Sequence, residues 1–152
     1  MARTSLAEYP CSVARTLEAI GDQWSFLIVR DALVGRRTFT DFQRSLGVSR
    51  NVLTQRLDHL VENQILRKQP TSPGGKRNLY ELTERGKELF PIVVAMLQWG
   101  DKWLFGSMGE PVQVLNAETK SPVQKVGVVA REGQFLQSHD VIYRAGPGTR
   151  TN

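Results

Sequence analysis

Residues 47–61 read GVSRNVLTQRLDHLV, and the fold follows from this stretch. In a helix, one face carries an apolar stripe formed by Leu53, Leu57, Leu60 and Val61. Polar side chains cover the opposite face. Ser49 is the predicted N-cap, because its hydroxyl can accept a hydrogen bond from a backbone N–H of the first turn. An apolar back with Arg, Asn, Thr and Gln at the N-terminal end suits a helix that reads the major groove, although many surface helices share this pattern.

The residues before this stretch predict a second, shorter helix. FTDFQRSL at 39–46 places Phe39, Phe42 and Leu46 inward. Thr38 is its predicted cap, with Asp41 three residues on in the reciprocal capping pattern. The short connector, which contains Gly47, fits the tight turn of a helix-turn-helix.

The residues after the stretch predict a β-hairpin. Two strand-like runs at 65–69 and 78–83 flank TSPGGKR at 71–77, whose Pro-Gly-Gly favours a turn. The hairpin carries Arg67 and Lys68 on its first arm. A helix-turn-helix followed by a basic hairpin is a winged helix.

Positive charge is concentrated in the same region. Residues 36–77 contain nine Lys or Arg against three acids, a net +6, whereas the whole chain of 152 residues carries +5. A basic excess confined to a helix-turn-helix and its hairpin is typical of phosphate binding. A solvated basic face is the alternative explanation.

Composition limits the other classes. A content of 40% hydrophobic and 23% charged residues is ordinary for a globular protein, and no apolar run approaches the roughly 20 residues of a membrane span. The start of the chain lacks the apolar core of a secretory signal, so we expect a cytoplasmic protein with no membrane partner. One cysteine and two histidines predict neither a disulfide framework nor a structural zinc site, and we expect no cofactor.

Two helices are predicted ahead of the helix-turn-helix. Residues 10–20 have Val13, Leu17 and Ile20 on one side, and residues 23–34 are apolar nearly all round, as in a helix at the centre of a core. Gly35 is the predicted C′ residue of the second helix. Arg36 and Arg37 follow it, within reach of a DNA backbone.

A last long helix is predicted from about Glu84 to Phe105, bent at Pro91. One of its apolar stripes contains Met96 and Trp103, and another contains Val94 and Leu97. Two stripes indicate two partners, so we interpret this helix and the N-terminal segment as a homodimer interface. Packing of the second stripe under the C-terminal tail is the alternative.

From Gly106 onwards, short apolar runs at 112–115, 123–130, 134–136 and 140–143 lie among Gly, Pro, Ser and Asn. They predict a small β-rich appendage that is too short for its own core and leans on the long helix or on another subunit. Residues 145–152 are predicted to be disordered. The predicted fold is α+β, mostly α: a winged helix-turn-helix with a long C-terminal dimerisation helix in residues 1–105, and the appendage in 106–152.

Several stretches together resemble the HxlR-type family of bacterial transcriptional regulators, a branch of the MarR-like winged-helix dimers. The resemblance covers about residues 10–103 and includes Cys11, IGDQWSFLIVRDALVG at 20–35, FTDF at 39–42, SRNVLTQRLDHL at 49–60, YELTERGKEL at 80–89 and LQWGDKW at 97–103. Two features depart from the family pattern. Thr38 replaces the usual arginine, and the wing has Gly-Gly where relatives more often have Pro-Arg. The tail has no cysteine, so we expect no zinc there.

The resemblance implies sequence-specific binding of a homodimer to a palindromic DNA operator, usually as a repressor released by an inducing signal. By position, it implies base-reading side chains on the helix at 49–61: Arg50, Asn51, Thr54 and Gln55. The implied phosphate or minor-groove contacts are Ser49, Arg56, Arg36, Arg37, Lys76 and Arg77. Arg56 lies off the main polar face, which weakens its assignment.

Two kinds of inducing signal stay open. In some relatives a cysteine near the N-terminus senses oxidants, so Cys11 is a candidate redox sensor, with Arg15 one turn on as a partner for its thiolate. A buried structural cysteine is the alternative. A small-molecule inducer could instead occupy a pocket formed by aromatic residues or the tail, with four candidates: Trp24, Phe90, Trp99 and Trp103.

No catalytic constellation is recognisable, and His59 and His139 are isolated in the sequence, so we do not expect an enzyme. His59 is expected on the flank of the recognition helix, near DNA or solvent. The competing interpretation is a winged helix that mediates protein–protein contacts without specific DNA binding.

Overall fold

A computed structural model describes residues 5–148 of the chain. Its first two helices are α1 (Ser12–Ile20) and α2 (Gln23–Leu33). Asp22 caps α2 by accepting a hydrogen bond from the Ser25 N–H at 3.0 Å. Gly35 follows the end of α2 with a φ of +91°, as predicted for its C′ residue. Helix α2 contacts the helix-turn-helix and the hairpin, so it occupies the centre of the core, as predicted.

The helix-turn-helix consists of α3 (Phe39–Leu46) and α4 (Arg50–Glu62). Thr38 and Asp41 form the predicted capping box, with hydrogen bonds of 3.1 and 3.2 Å. Hydrogen bonding with the side chain and the backbone of Thr38 lowers the pKa of Asp41. Gly47 ends α3 in the left-handed region, at φ +65°, and Ser49 caps α4 by accepting from the Val52 N–H. Four inward side chains of the two helices are fully buried: Phe42, Leu53, Leu57 and Leu60.

The hairpin pairs β1 (Leu66–Pro70) with β2 (Asn78–Leu82) in antiparallel register. Arg67 lies opposite Glu81, and Lys68 lies opposite Tyr80. Because successive side chains of a strand point to opposite faces, these two pairs occupy different faces of the hairpin. A bridge between Thr38 and Leu79 attaches β2 to the start of α3.

The predicted single helix from Glu84 to Phe105 is wrong, because the structure divides it. A short helix α5 (Glu84–Lys87) ends in a turn, and α6 (Phe90–Gly100) begins after it. Pro91 in the first turn of α6 lacks an N–H, and its ring would clash with the carbonyl of Lys87 in a continuous helix. A π-helical turn, Asp101–Phe105, follows α6.

The chain divides into two compact units, residues 1–90 and 91–152. This division lies ahead of the boundary at 105/106 that we assigned to the winged helix-turn-helix and its appendage, and that functional assignment stays a prediction. Across residues 5–148, no helix combines the length and apolarity that crossing a bilayer requires.

The second unit contains α6 from Pro91 onwards, the π-helical turn, two 3-10 turns (Gly106–Met108 and Ser138–Asp140) and a ribbon of extended chain. Of the four predicted strand runs, only short parts pair: β3 (Val128–Val129) with β4 (Phe135–Leu136), and a bridge between Leu115 and Pro122. Residues 141–146 form no strand. The predicted contact of the appendage with the long helix is confirmed, since the Gln98 side chain donates to the Gln124 carbonyl at 3.1 Å and accepts from the Val126 N–H at 2.8 Å. Residues 149–152 of the predicted disordered end lie outside the described residues.

Candidate nucleic-acid interface

An open groove lies in the first unit between the N-terminal half of α4 and the hairpin. Four basic side chains line it: Arg50, Lys68, Lys76 and Arg77. In the described part of the chain, no carboxylate lines it. Thr54 of α4 and Asn78 of the hairpin add hydroxyl and amide groups to the same lining. A groove with excess positive charge and several donors is suited to a phosphodiester backbone.

Arg50 stands at the first position of α4, and its guanidinium carbon lies 4.9 Å from the centroid of the Phe39 ring. The predicted base-reading residues Asn51, Thr54 and Gln55 are exposed on the same helix. Thr54 faces the groove with Arg50. The N-terminal part of α4 therefore presents the donors and acceptors that hydrogen-bond to base edges, and its apolar back is buried.

Lys68 belongs to this groove and was missed as a candidate contact. Its Nζ lies 5.8 Å from the Tyr80 ring centroid and 3.9 Å from Asp58 Oδ1. The signal that could have found Lys68 is the alternation of side chains along β1, which places Lys68 and Arg67 on opposite faces of the strand. Using that signal requires the register of the hairpin, and the sequence alone left the register open.

Arg36 is already paired. Its Nη1 lies 3.3 Å from Oδ1 of Asp31, and Nη2 of Arg30 lies 2.8 Å from the same oxygen. Asp31 is only 1% exposed, so these two guanidinium groups compensate a buried charge at the end of α2. The predicted phosphate contact of Arg36 stays a prediction, but this side chain does not line the groove that contains Arg50.

Arg37 pairs with Glu81, on the face of the hairpin opposite to Lys68. Its Nη1 lies 3.2 Å from Glu81 Oε1, while Arg67 donates to Glu81 Oε2 at 2.7 Å. The hydrogen bond from Arg67 lowers the pKa of Glu81, and the charge of Arg37 acts in the same direction. These pairs attach the base of the hairpin to the entry of α3. The predicted phosphate contact of Arg37 also remains untested.

The side chains of Arg56 and His59 both turn away from the groove. Nε of Arg56 lies 2.5 Å from Oδ2 of Asp22, which favours a structural role over its predicted phosphate contact. The expectation that His59 lies near DNA or solvent is wrong, since it is half-buried and its Nε2 lies 3.2 Å from the Glu18 carbonyl oxygen. His59 instead connects α4 with the end of α1.

Cys11 is exposed and occupies the N-cap position of α1. Arg15, its predicted partner, donates from Nε to the carbonyl of Tyr9 at 3.0 Å. An exposed thiol meets one requirement of an oxidant sensor. The role of Cys11 and the aromatic ligand pocket both remain predictions.

Apolar side chains on one face of α6 are exposed. Ile92, Met96 and Trp99 follow the i, i+4, i+7 spacing of a single stripe, and Trp99 is 58% exposed. Gln98, which binds the ribbon, and Leu97, which lies beside it, are on other faces. Leu97 lines a cavity together with ribbon residues such as Val112 and Val123, whereas the stripe with Trp99 is exposed, and packing of the second apolar stripe under the tail stays an alternative.

Comparisons with known proteins agree with this geometry. The family model described as HxlR-like helix-turn-helix matches residues 19–108. An uncharacterised HTH-type transcriptional regulator of Mycobacterium tuberculosis is 34% identical over 137 residues, which are 90% of this chain and 87% of that protein.

Two solved structures extend the comparison. PA1607, described as a proposed transcription factor, has a TM-score of 0.87 and 38% identity over 94% of this chain and 100% of its own. The redox regulator HypR in its oxidised form has a TM-score of 0.56 and 30% identity over 60% of this chain and 96% of its own. The likeness to PA1607 therefore spans nearly the whole chain, and the likeness to HypR spans about three fifths of it.

Proposed function

Since the chain belongs to the HxlR-like helix-turn-helix family of transcriptional regulators, as its sequence predicted, we propose that it binds a palindromic operator as a homodimer and represses nearby genes until an inducing signal releases it. The observation that carries the DNA-binding part is the groove between α4 and the hairpin. It brings together the cations Arg50, Lys68, Lys76 and Arg77 without an acid in its described lining.

The two sides of the groove have different roles in this proposal. Arg50, Asn51, Thr54 and Gln55 read base edges in the major groove. Lys68 and the hairpin residues Lys76 and Arg77 neutralise phosphates, and the tip glycine Gly74, with a φ of +74°, allows the hairpin backbone to approach the DNA closely. Phosphate contacts supply affinity and register, and base contacts supply specificity.

The exposed apolar stripe of α6 supports the dimer. Ile92, Met96 and Trp99 form an uncharged surface, and Val13 and Leu17 of α1 are likewise exposed. A contiguous apolar stripe such as that of α6 typically marks a protein–protein interface. Two-fold pairing of the chain would match two half-sites about one helical turn apart.

Two signals are consistent with release from the operator. Exposure of Cys11 and the likeness to the redox regulator HypR favour oxidation of this thiol. A small molecule bound near the aromatic residues is the second candidate.

The test is binding of the purified protein to its own upstream intergenic DNA and to scrambled DNA across a salt series. We expect preference for the upstream DNA and a steep salt dependence of affinity. Lys76→Ala/Arg77→Ala should reduce the salt slope by about two per protomer. The matched control, Lys125→Ala/Arg131→Ala, removes two exposed cations of the second unit and should leave the slope unchanged.

The same assay separates the alternatives. Binding that oxidation abolishes in the wild type but not in Cys11→Ser identifies a redox switch, and binding that is unaffected by oxidation directs the search to a small molecule. Absence of binding to either DNA would support a protein-interaction module instead.

A further inference from the structure

Arg50 is held differently from the other arginines near the helix-turn-helix. Arg36, Arg37 and Arg56 each pair with a carboxylate. Among residues 5–148, no carboxylate lies within ion-pair distance of Arg50, and its guanidinium carbon lies 4.9 Å from the centroid of the Phe39 ring. The ring and the cation come from the first residues of α3 and α4, so the two helices of the motif set their distance.

An aromatic partner has a different consequence from a carboxylate. A carboxylate would neutralise the guanidinium and occupy its N–H donors, whereas a ring face attracts the cation and leaves all five N–H groups available. Contact with the ring also restricts the rotamers of a long side chain, which lowers the entropy lost when that side chain binds. Arg50 is therefore both oriented and unoccupied, at the end of α4 that borders the groove.

We propose that Phe39 is a positioning residue for base recognition: its ring holds Arg50 in the geometry that forms two hydrogen bonds with a guanine in the major groove. Guanine is the base chosen because its O6 and N7 accept from an arginine in a bidentate arrangement. This inference rests on the proposed operator binding and adds the residue that sets specificity at one base pair of each half-site.

Lys68 is a useful comparison within the same groove. It also lies near a ring, at 5.8 Å from Tyr80, but Asp58 is 3.9 Å away on its other side. A lysine presents a compact point charge and lacks the rigid planar fork of an arginine, so its contacts are less specific in geometry. Lys68 therefore fits a phosphate contact, which changes affinity equally for all sequences, and provides a control for a residue that changes specificity.

The experiment measures Kd for the operator and for a panel in which each half-site base pair is replaced in turn. Replacement of one particular G·C pair should lower the affinity of the wild type about tenfold. Arg50→Gln should abolish this loss of affinity, which is the base-pair penalty. Phe39→Leu should reduce the penalty several-fold while leaving the salt slope and the Kd for scrambled DNA unchanged. Phe39→Tyr, which keeps the ring, should retain the penalty. The control Lys68→Ala should raise the Kd for all DNA sequences by the same factor.

A double variant tests whether the two residues act together. Phe39→Leu/Arg50→Gln should discriminate no less at that base pair than Arg50→Gln alone, because the ring acts only through the arginine. Thermal unfolding checks the fold of each variant, and Phe39→Met serves if the leucine variant is unfolded. A folded Phe39→Leu or Phe39→Met that keeps the full base-pair penalty overturns the inference and leaves the proposed operator binding intact. A wild type that shows no preference among the sequences overturns both.

Discussion

Nε of Arg56 in α4 lies 2.5 Å from Oδ2 of Asp22, the residue that caps α2. The two side chains are 34% and 26% exposed, so the ion pair is partly shielded from water. It connects α4 to α2, the central helix of the core. A contact between Arg56 and a DNA phosphate would have to replace this pair.

Arg56→Ala should therefore lower stability and not the salt dependence of DNA binding. We expect a loss of about 1–2 kcal/mol in the free energy of unfolding, because the carboxylate of Asp22 loses its partner in a partly buried site. Arg50→Ala should show the opposite pattern, with near wild-type stability and weakened operator binding. Urea denaturation and a salt series on both variants provide the measurement. An Arg56→Ala protein of unchanged stability with a smaller salt slope would restore the phosphate contact.

Glu81 should make the hairpin sensitive to acid. Its pKa is lowered in the folded chain by the hydrogen bond from Arg67, so its ion pairs stabilise the fold above the unfolded pKa of about 4.3. That contribution is lost as the pH falls through the lower folded pKa. Glu81→Gln should show a smaller fall of the thermal midpoint than the wild type between pH 5 and pH 3, in a scan at matched salt. Glu118→Gln, an exposed change in the ribbon, should behave like the wild type.

Gly86 should tolerate no side chain. A Cβ built there would lie 2.2 Å from the carbonyl oxygen of Ile65 and 2.9 Å from a methyl of Leu82. Because the nearest atom belongs to the backbone, Gly86→Ala should destabilise the fold by about 2–4 kcal/mol. Gly146→Ala, where no atom lies within 4 Å, should be neutral. Equal unfolding midpoints for the two variants would refute this account of the packing of α5 against the hairpin.

Trp99 should be required for dimerisation. Trp99→Glu places a charge in the exposed apolar stripe of α6, and burial of that charge in a subunit interface would be costly. Light scattering should show monomers for this variant and dimers for Tyr143→Glu, which changes an exposed aromatic residue of the tail. Operator affinity should fall with the loss of the dimer. A dimeric Trp99→Glu protein would place the interface elsewhere.

The parts of the fold that depend on local chemistry could be predicted from the sequence. Thr38 and Asp41 cap α3 through atoms three residues apart, and Ser49 caps α4 in the same way. The apolar period of α4 is equally local, and Leu53 and Leu57 are buried as expected. These signals defined the helix-turn-helix before any tertiary contact was considered.

The parts that depend on packing between distant segments could not be predicted. Helical spacing places Arg56 and His59 on a flank of α4, but only the positions of Asp22 and Glu18 determine what they contact. Lys68 joins the groove because of the hairpin register, which involves residues about a dozen positions away. The same limit applies to the strands of the tail, where runs of suitable composition pair over two residues at most.

The register of the hairpin places the adjacent residues Arg67 and Lys68 on opposite faces. In the observed pairing, one meets Glu81 on one face and the other supplies a cation to the groove on the opposite face. A slip of β1 by one residue would exchange the two side chains between faces, separate Glu81 from Arg67 and expose Leu66, which is now 1% exposed. A misaligned β1 would thus lose the burial of Leu66, so the register that presents Lys68 to the groove is also the one that completes the apolar core at this strand.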